Sequence, residues 1–139
     1  MSEINQMDVT LFPVHKELIA YLHEQKARGR ELFLVTAADQ DVASAVSRQL
    51  GIFSGAAGSA NGHNLKGHNK LRYLQERFPD GFAYAGDSPA DLPIWQEANS
   101  LILVGVSERV RRAVQQMDRP VEREFKSTPA GPRAWLRAL

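Results

Sequence analysis

The sequence predicts an α/β protein with a central parallel sheet between two layers of helices, a three-layer Rossmann-like fold. Short apolar runs typical of buried strands occur at 31–35, 82–85 and 101–104. The stretches between them carry apolar residues at helical spacing. Strands that alternate with helices at such lengths form βαβ units with parallel strands. Ligands of these sheets bind beyond the carboxyl ends of the strands.

The remaining elements follow from spacing and from turn residues. The helix after the first strand is capped by Asp39 or Asp41 and ended by Gly51. Trp95 could contact substrate, but an aromatic side chain on the inner face of a helix is more often part of the core. The other predicted elements are helices at 14–28, 67–78 and 108–117, a short strand within 52–64 and an edge strand at 121–125.

Length and composition favour one cytoplasmic domain over residues 1–139. The 139 residues are 43% hydrophobic, enough for a single core. The net charge of +1 does not favour a nucleic-acid partner, and the lack of cysteine excludes disulfides and thiolate metal sites. No apolar run approaches the roughly 20 residues that a membrane helix needs, and the N-terminus does not resemble a signal peptide.

The strongest chemical signal is the run YAGDSPAD at positions 84–91. Asp87 and Asp91 stand four positions apart, where a buried strand passes into a helix. Mg²⁺ prefers oxygen ligands and is often bound by one or two carboxylates together with a substrate phosphate. Aspartate is also common in turns and helix caps after strands, so a purely structural role fits either residue equally well.

Three further positions are candidates for phosphate binding. The hydroxyl of Thr36, at the end of its strand, could hold a phosphate oxygen together with the backbone N–H groups of Ala37 and Ala38. Lys66 stands just before a helix, where its ammonium group could neutralise phosphate charge, and Lys70 is the alternative. Taken singly, each of these features is ordinary.

In chain order, Thr36, Lys66 and the run 86–91 resemble motifs two, three and four of the haloacid dehalogenase superfamily. The resemblance covers about residues 31–106, and its combination of motifs is more specific than any one of them. It implies a Mg²⁺-dependent phosphatase, a hydrolase of small phosphorylated substrates, with Asp87 and Asp91 at the metal. Lys66 is favoured over Lys70 because the family has a lysine-glycine pair there. No insertion long enough for a cap domain is apparent.

The first motif of the superfamily is a strand that ends in Asp-x-Asp-x-Thr. Its first aspartate attacks phosphorus to form an aspartyl-phosphate, which water then hydrolyses. This sequence lacks the motif, and the nearest candidate nucleophile is Asp8. Either the chain is a fragment truncated at the nucleophile strand, which we favour, or Asp8 is the remnant of a domain that has lost catalysis.

Three segments resemble a smaller group within this superfamily: PVHKEL at 13–18, NLKG at 64–67 and RAWLRAL at 133–139. They resemble bacterial proteins in which such a domain is joined to a ubiquinone-biosynthesis-type prenyltransferase. This implies association with a membrane prenyltransferase at the inner face of the membrane. It also supplies a second hypothesis, a catalytically inactive domain that binds inorganic phosphate or Mg²⁺ and interacts with the membrane enzyme.

Overall fold

A computed structural model describes residues 15–60 and 64–126, which belong to two compact units. Of the described residues, the first unit comprises 15–60 and 64–66, and the second comprises 67–126. Each unit combines helices with parallel strands, which confirms the predicted α/β class. Among the described residues, no helix combines the length and the apolar character needed to cross a bilayer. The single domain over 1–139 stays a prediction.

The first unit contains two parallel strands that pair with each other. Its first helix begins after His15, whose Nδ1 accepts a hydrogen bond from the Leu18 N–H at 3.2 Å. Its second helix ends at Gly51, which has a φ of 65° in the left-handed region that glycine tolerates. The elements in order are α1 (Lys16–Ala27), β1 (Phe33–Asp39), α2 (Gln40–Leu50) and β2 (Gly55–Ser59).

Strand β1 lies two residues later at its start than predicted and extends to Asp39. Its regular pairing with β2 covers 33–35, and the register shifts before Asp39. The prediction that Thr36 ends this strand is therefore wrong. In the structure, β1 continues beyond Thr36, which follows the last regularly paired residue. Asp39 occupies the predicted N-cap position of α2 without a side-chain capping hydrogen bond.

The second unit contains a three-stranded parallel sheet whose strands lie side by side in chain order. Among the described residues, the last strand pairs only with the strand before it, as predicted for an edge strand. The elements in order are α3 (His68–Arg77), β3 (Ala83–Gly86), a 3-10 turn (Pro89–Asp91), α4 (Leu92–Glu97), β4 (Ser100–Val104), α5 (Glu108–Gln115) and β5 (Val121–Phe125).

The core of the second unit is built around β4 and Trp95. The apolar run that predicted a central strand is buried from Leu101 to Val104, and Val110 and Val114 of α5 are also buried. Trp95 is fully buried, which confirms its assignment to the core. Its indole N–H donates a hydrogen bond to the carbonyl oxygen of Tyr84 at 3.1 Å. This contact ties α4 to β3, the strand that leads into the acidic run.

Candidate active site

The acidic run lies where the sequence predicts it, at the carboxyl end of a strand of the second unit. Strand β3 ends at Gly86, Asp87 follows directly, and the 3-10 turn ends at Asp91. Ser88 and Asp91 form a reciprocal capping box around the turn. The two carboxylates therefore lie on one short loop, but their surroundings differ.

The carboxylate of Asp91 is buried and holds the loop together. Its Oδ2 accepts hydrogen bonds from the backbone N–H of Asp87 at 2.8 Å and of Ser88 at 3.1 Å, and a long one from the Ser88 hydroxyl at 3.4 Å. Its Oδ1 accepts the hydroxyl of Tyr84 at 2.8 Å. A carboxylate has about four acceptor sites, so the protein itself nearly saturates Asp91. Asp91 therefore caps and stabilises the turn, which is the structural role that the sequence also allowed.

The carboxylate of Asp87, unlike that of Asp91, has an unsatisfied oxygen. Its Oδ2 is buried and has no hydrogen-bond partner among the described residues. Burial, with the negative charge of Asp91 second, raises the pKa of Asp87 to about 6, while its own backbone N–H and the charge of Lys70 act in the opposite direction. A buried carboxylate oxygen without a partner is costly, and a bound cation is one way to satisfy it.

Lys70 is the cation that the structure brings to these carboxylates. It lies in the first turn of α3, and its Nζ is 5.3 Å from the centroid of the Tyr84 ring. Burial lowers the pKa of Lys70, and the charges of Asp91 and Asp87 raise it against that effect. Lys70, Asp87 and Asp91 thus form one charged cluster around Tyr84, which we call the acid-lysine cluster.

Gly86 is required by the close approach of Asp91 to β3. A Cβ at position 86 would lie 2.6 Å from both Cγ and Oδ2 of Asp91. We expect Gly86→Ala to displace the Asp91 carboxylate, to lower the free energy of unfolding by about 2 kcal/mol and to weaken Mg²⁺ binding. Chemical denaturation and calorimetry measure the two effects.

The control for that variant is Gly55→Ala in the first unit. Its Cβ would approach only ring carbons of Phe33, at 3.2 Å, which is a milder contact with a side chain. We expect a smaller loss of stability and unchanged Mg²⁺ binding. Equal effects of both variants on Mg²⁺ binding would contradict the role given to Asp91.

The other predicted site residues belong to the first unit or lie outside the described residues. Asp8 is outside them. Lys66 is exposed and ends the first unit, so its role stays a prediction. Thr36 is buried, and its hydroxyl oxygen accepts the Ala38 N–H at 3.1 Å, so this N–H is already engaged. The carbonyl oxygen of Ala37 accepts the Ser59 hydroxyl at 2.8 Å.

Sequence reasoning missed Tyr84 as part of the site. The available signal is a single phenol in the small apolar strand AYAG, directly before the carboxylates. It also interpreted Asp39 and Asp41 only as helix caps. These two residues form an Asp-x-Asp pair, and Ala43 stands at the position where the first motif has threonine. Both aspartates are exposed. Between them, Gln40 accepts the Gly58 N–H at 2.8 Å and braces α2 against β2.

The cluster fits Mg²⁺ better than a metal held by protein side chains alone. Within residues 15–60 and 64–126, no three histidine, aspartate or glutamate side chains gather as a metal site. Mg²⁺ keeps several waters and needs only one or two carboxylates besides a substrate phosphate. The unpartnered Oδ2 of Asp87 supplies one such oxygen. Of the two carboxylates, Asp87 is the one with an oxygen that could bind such an ion.

Comparison with known proteins identifies the family. The model of the haloacid dehalogenase-like hydrolases matches residues 4–96. The chain belongs to this family. The match extends from before α1 into α4, and so includes the acid-lysine cluster of this haloacid dehalogenase-like chain.

Solved structures of other proteins share the fold. A protein described as a HAD family hydrolase from Streptomyces avermitilis has a TM-score of 0.56 at 16% identity, over 91% of this chain and 68% of that one. The cobalt-bound deoxy-D-mannose-octulosonate 8-phosphate phosphatase of Haemophilus influenzae has a TM-score of 0.54 at 17% identity, over 86% and 64%. At such low identity, these likenesses establish the fold alone.

A relative in sequence is the protein y4nM of Sinorhizobium fredii. It is 44% identical over 105 residues, which are 76% of this chain and 20% of y4nM. The chain thus spans about a fifth of the length of this relative. The domain that both share is accompanied in y4nM by a much larger remainder.

Proposed function

We propose that this haloacid dehalogenase-like domain is a Mg²⁺-dependent phosphohydrolase for small phosphorylated substrates. The observation that carries the proposal is the buried, unpartnered Oδ2 of Asp87 in the same cluster as the half-buried Lys70. One group is suited to a cation and the other to a phosphate. Two neighbouring features with complementary chemistry are more specific than an acidic turn alone.

Each residue of the cluster has a task in this proposal. Asp87 would hold the Mg²⁺ ion, which supplies charge neutralisation for the transferring phosphoryl group. Lys70 would donate to a phosphate oxygen as a compact ammonium group. Asp91 would keep the loop folded through the N–H groups of Asp87 and Ser88 and remain near the metal without a free oxygen of its own. Thr36 and Ala37 stay proposed phosphate contacts, and Lys66, the lysine that the sequence favoured, becomes the alternative to Lys70 in this proposal.

The nucleophile proposed for this reaction is Asp8. Its carboxylate oxygen would attack phosphorus and form an acyl–phosphate bond while the ester P–O bond breaks, and the leaving alkoxide would take a proton from water. Water would then hydrolyse the aspartyl-phosphate, releasing inorganic phosphate and restoring the carboxylate. The sequence contains no complete Asp-x-Asp-x-Thr motif, so turnover depends on whether Asp8 or a residue outside this chain provides the attack.

A second candidate is a domain that binds Mg²⁺ and phosphate without turnover as part of a larger protein. It is favoured by the missing first motif and by the relative y4nM, of which this chain spans a fifth. The larger partner would be a membrane prenyltransferase, which would hold the domain at the cytoplasmic face of the membrane. The resemblance of three short segments supports that partner.

The two candidates are separated by measuring binding and turnover on the same protein. We expect calorimetry to detect Mg²⁺ binding that Asp87→Asn abolishes, and hydrolysis of p-nitrophenyl phosphate that chelation of Mg²⁺ stops. Mg²⁺ and inorganic phosphate binding without hydrolysis would favour the second candidate. If the chain binds neither ligand, both candidates are wrong.

A further inference from the structure

We infer that Tyr84 is a positioning residue that assigns Asp87 and Asp91 to different tasks, an inference that rests on the proposed function. From the sequence alone, either carboxylate could bind a cation. In the structure, the phenol hydroxyl occupies Oδ1 of Asp91, whereas Oδ2 of Asp87 is left without a partner. The hydroxyl thus decides which carboxylate remains available.

The hydroxyl of Tyr84 is suited to this task because it acts as a permanent donor. Its oxygen is 2.8 Å from Asp91 Oδ1, and the side chain is nearly buried. A phenol keeps its proton at neutral pH, so the hydroxyl remains a donor to Asp91. A neutral donor to a buried carboxylate forms a strong, charge-assisted hydrogen bond.

Trp95 holds Tyr84 in place through two contacts. The indole N–H binds the Tyr84 carbonyl oxygen at 3.1 Å, and the two rings meet edge to face with centroids 6.5 Å apart and an interplanar angle of 72°. Because Trp95 is fully buried, it has little freedom to move away. The phenol therefore reaches Asp91 from a fixed position.

The ring of Tyr84 also positions Lys70. The ammonium group lies over the ring face, 5.3 Å from its centroid, in a cation–π contact. One side chain thus contacts Asp91 through its hydroxyl and Lys70 through its ring. Without the hydroxyl, Asp91 Oδ1 would be a buried charged oxygen lacking a donor. We expect it to turn towards Lys70 and to loosen its hold on the N–H groups of Asp87 and Ser88.

The test is Tyr84→Phe, which keeps the ring and its contacts with Trp95 and Lys70 and removes only the hydroxyl. We expect Mg²⁺ affinity to fall about 10-fold by calorimetry, the scale of one hydrogen bond to a charged group. We also expect hydrogen exchange of the Asp87 and Ser88 amides to accelerate about 10-fold, because both donate to Asp91. Tyr73→Phe removes a phenol hydroxyl from α3 and should change neither quantity.

A double-mutant comparison separates positioning from a general loss of packing. In the Asp91→Asn background, Tyr84→Phe should have at most a small further effect on Mg²⁺ affinity, because its effect is transmitted through Asp91. A full additional 10-fold loss would overturn the inference. If the unmodified protein binds no Mg²⁺, the proposed function fails. Amide exchange then decides the inference alone: faster exchange in Tyr84→Phe supports it, and unchanged exchange overturns it.

Discussion

Asp87→Asn is expected to remove Mg²⁺ binding almost completely, with at least about a 100-fold loss of affinity and of any hydrolysis of p-nitrophenyl phosphate. The neutral amide keeps the shape of the side chain but offers a much weaker oxygen ligand and no charge. Asp80→Asn, at an exposed turn in the same unit, is the matched control and should behave like the unmodified protein. Retained Mg²⁺ binding in Asp87→Asn would exclude Asp87 as the metal ligand.

The raised pKa of Asp87 adds a dependence on pH. With a pKa of about 6 in the folded protein and a lower one in the unfolded chain, Mg²⁺ must compete with a proton below pH 6. We expect the affinity to fall up to about 10-fold per pH unit there and to be nearly constant above pH 7. Calorimetry in matched buffers measures this, and a flat profile from pH 5 to 7 would contradict it.

Asp87→Asn should also stabilise the metal-free protein. A carboxyl whose pKa is raised on folding binds more protons in the folded state, so its contribution to stability decreases as pH rises from the unfolded to the folded pKa. Above pH 7 the ionised Asp87 is therefore unfavourable without a cation. After allowance for solvent screening, we expect Asp87→Asn to raise the free energy of unfolding by about 1 kcal/mol at pH 7.5. Denaturation below pH 4 should abolish the difference.

Lys70→Met is expected to lower kcat/KM for the aryl phosphate by about 100-fold and to weaken inorganic phosphate binding, with little change in Mg²⁺ affinity. Methionine retains most of the apolar stem but has no ammonium group. Steady-state kinetics and calorimetry distinguish the two effects. If the protein has no turnover, the loss of phosphate binding alone is the expected result.

Lys66→Met is the matched control for Lys70→Met. Its side chain is exposed at the end of the first unit, whereas Lys70 is half-buried in the acid-lysine cluster. We expect Lys66→Met to change phosphate binding by less than about threefold, as for an exposed charge. The reverse order of effects would show that Lys66 is the phosphate-binding lysine favoured by the sequence.

Most of the fold could be predicted because the signals were local. The apolar run at 101–104 is buried as strand β4, and the positions of Gly51 and Trp95 agree with a helix end and a core side chain. The acidic run could also be placed at a strand end. The ends of the elements were predicted less accurately. Strand β1 begins later and ends later than predicted, because its pairing with β2 rather than its apolar character decides its extent.

The division of tasks within the site could not be predicted in the same way. Lys66 and Lys70 are four residues apart, and only the packing of α3 brings Lys70 over the Tyr84 ring. Asp87 and Asp91 look equivalent in sequence. Their difference comes from the phenol donor seven residues before Asp91, which depends on how β3 and the 3-10 turn approach each other.

The amides of residues 87 and 88 already bind the Asp91 carboxylate inside the loop. A cation that arrives at Asp87 would meet a backbone that needs no rearrangement, so little conformational entropy is lost on binding. Association should then be fast and simple, with a single kinetic phase. The loop conformations of the free and loaded protein should superimpose.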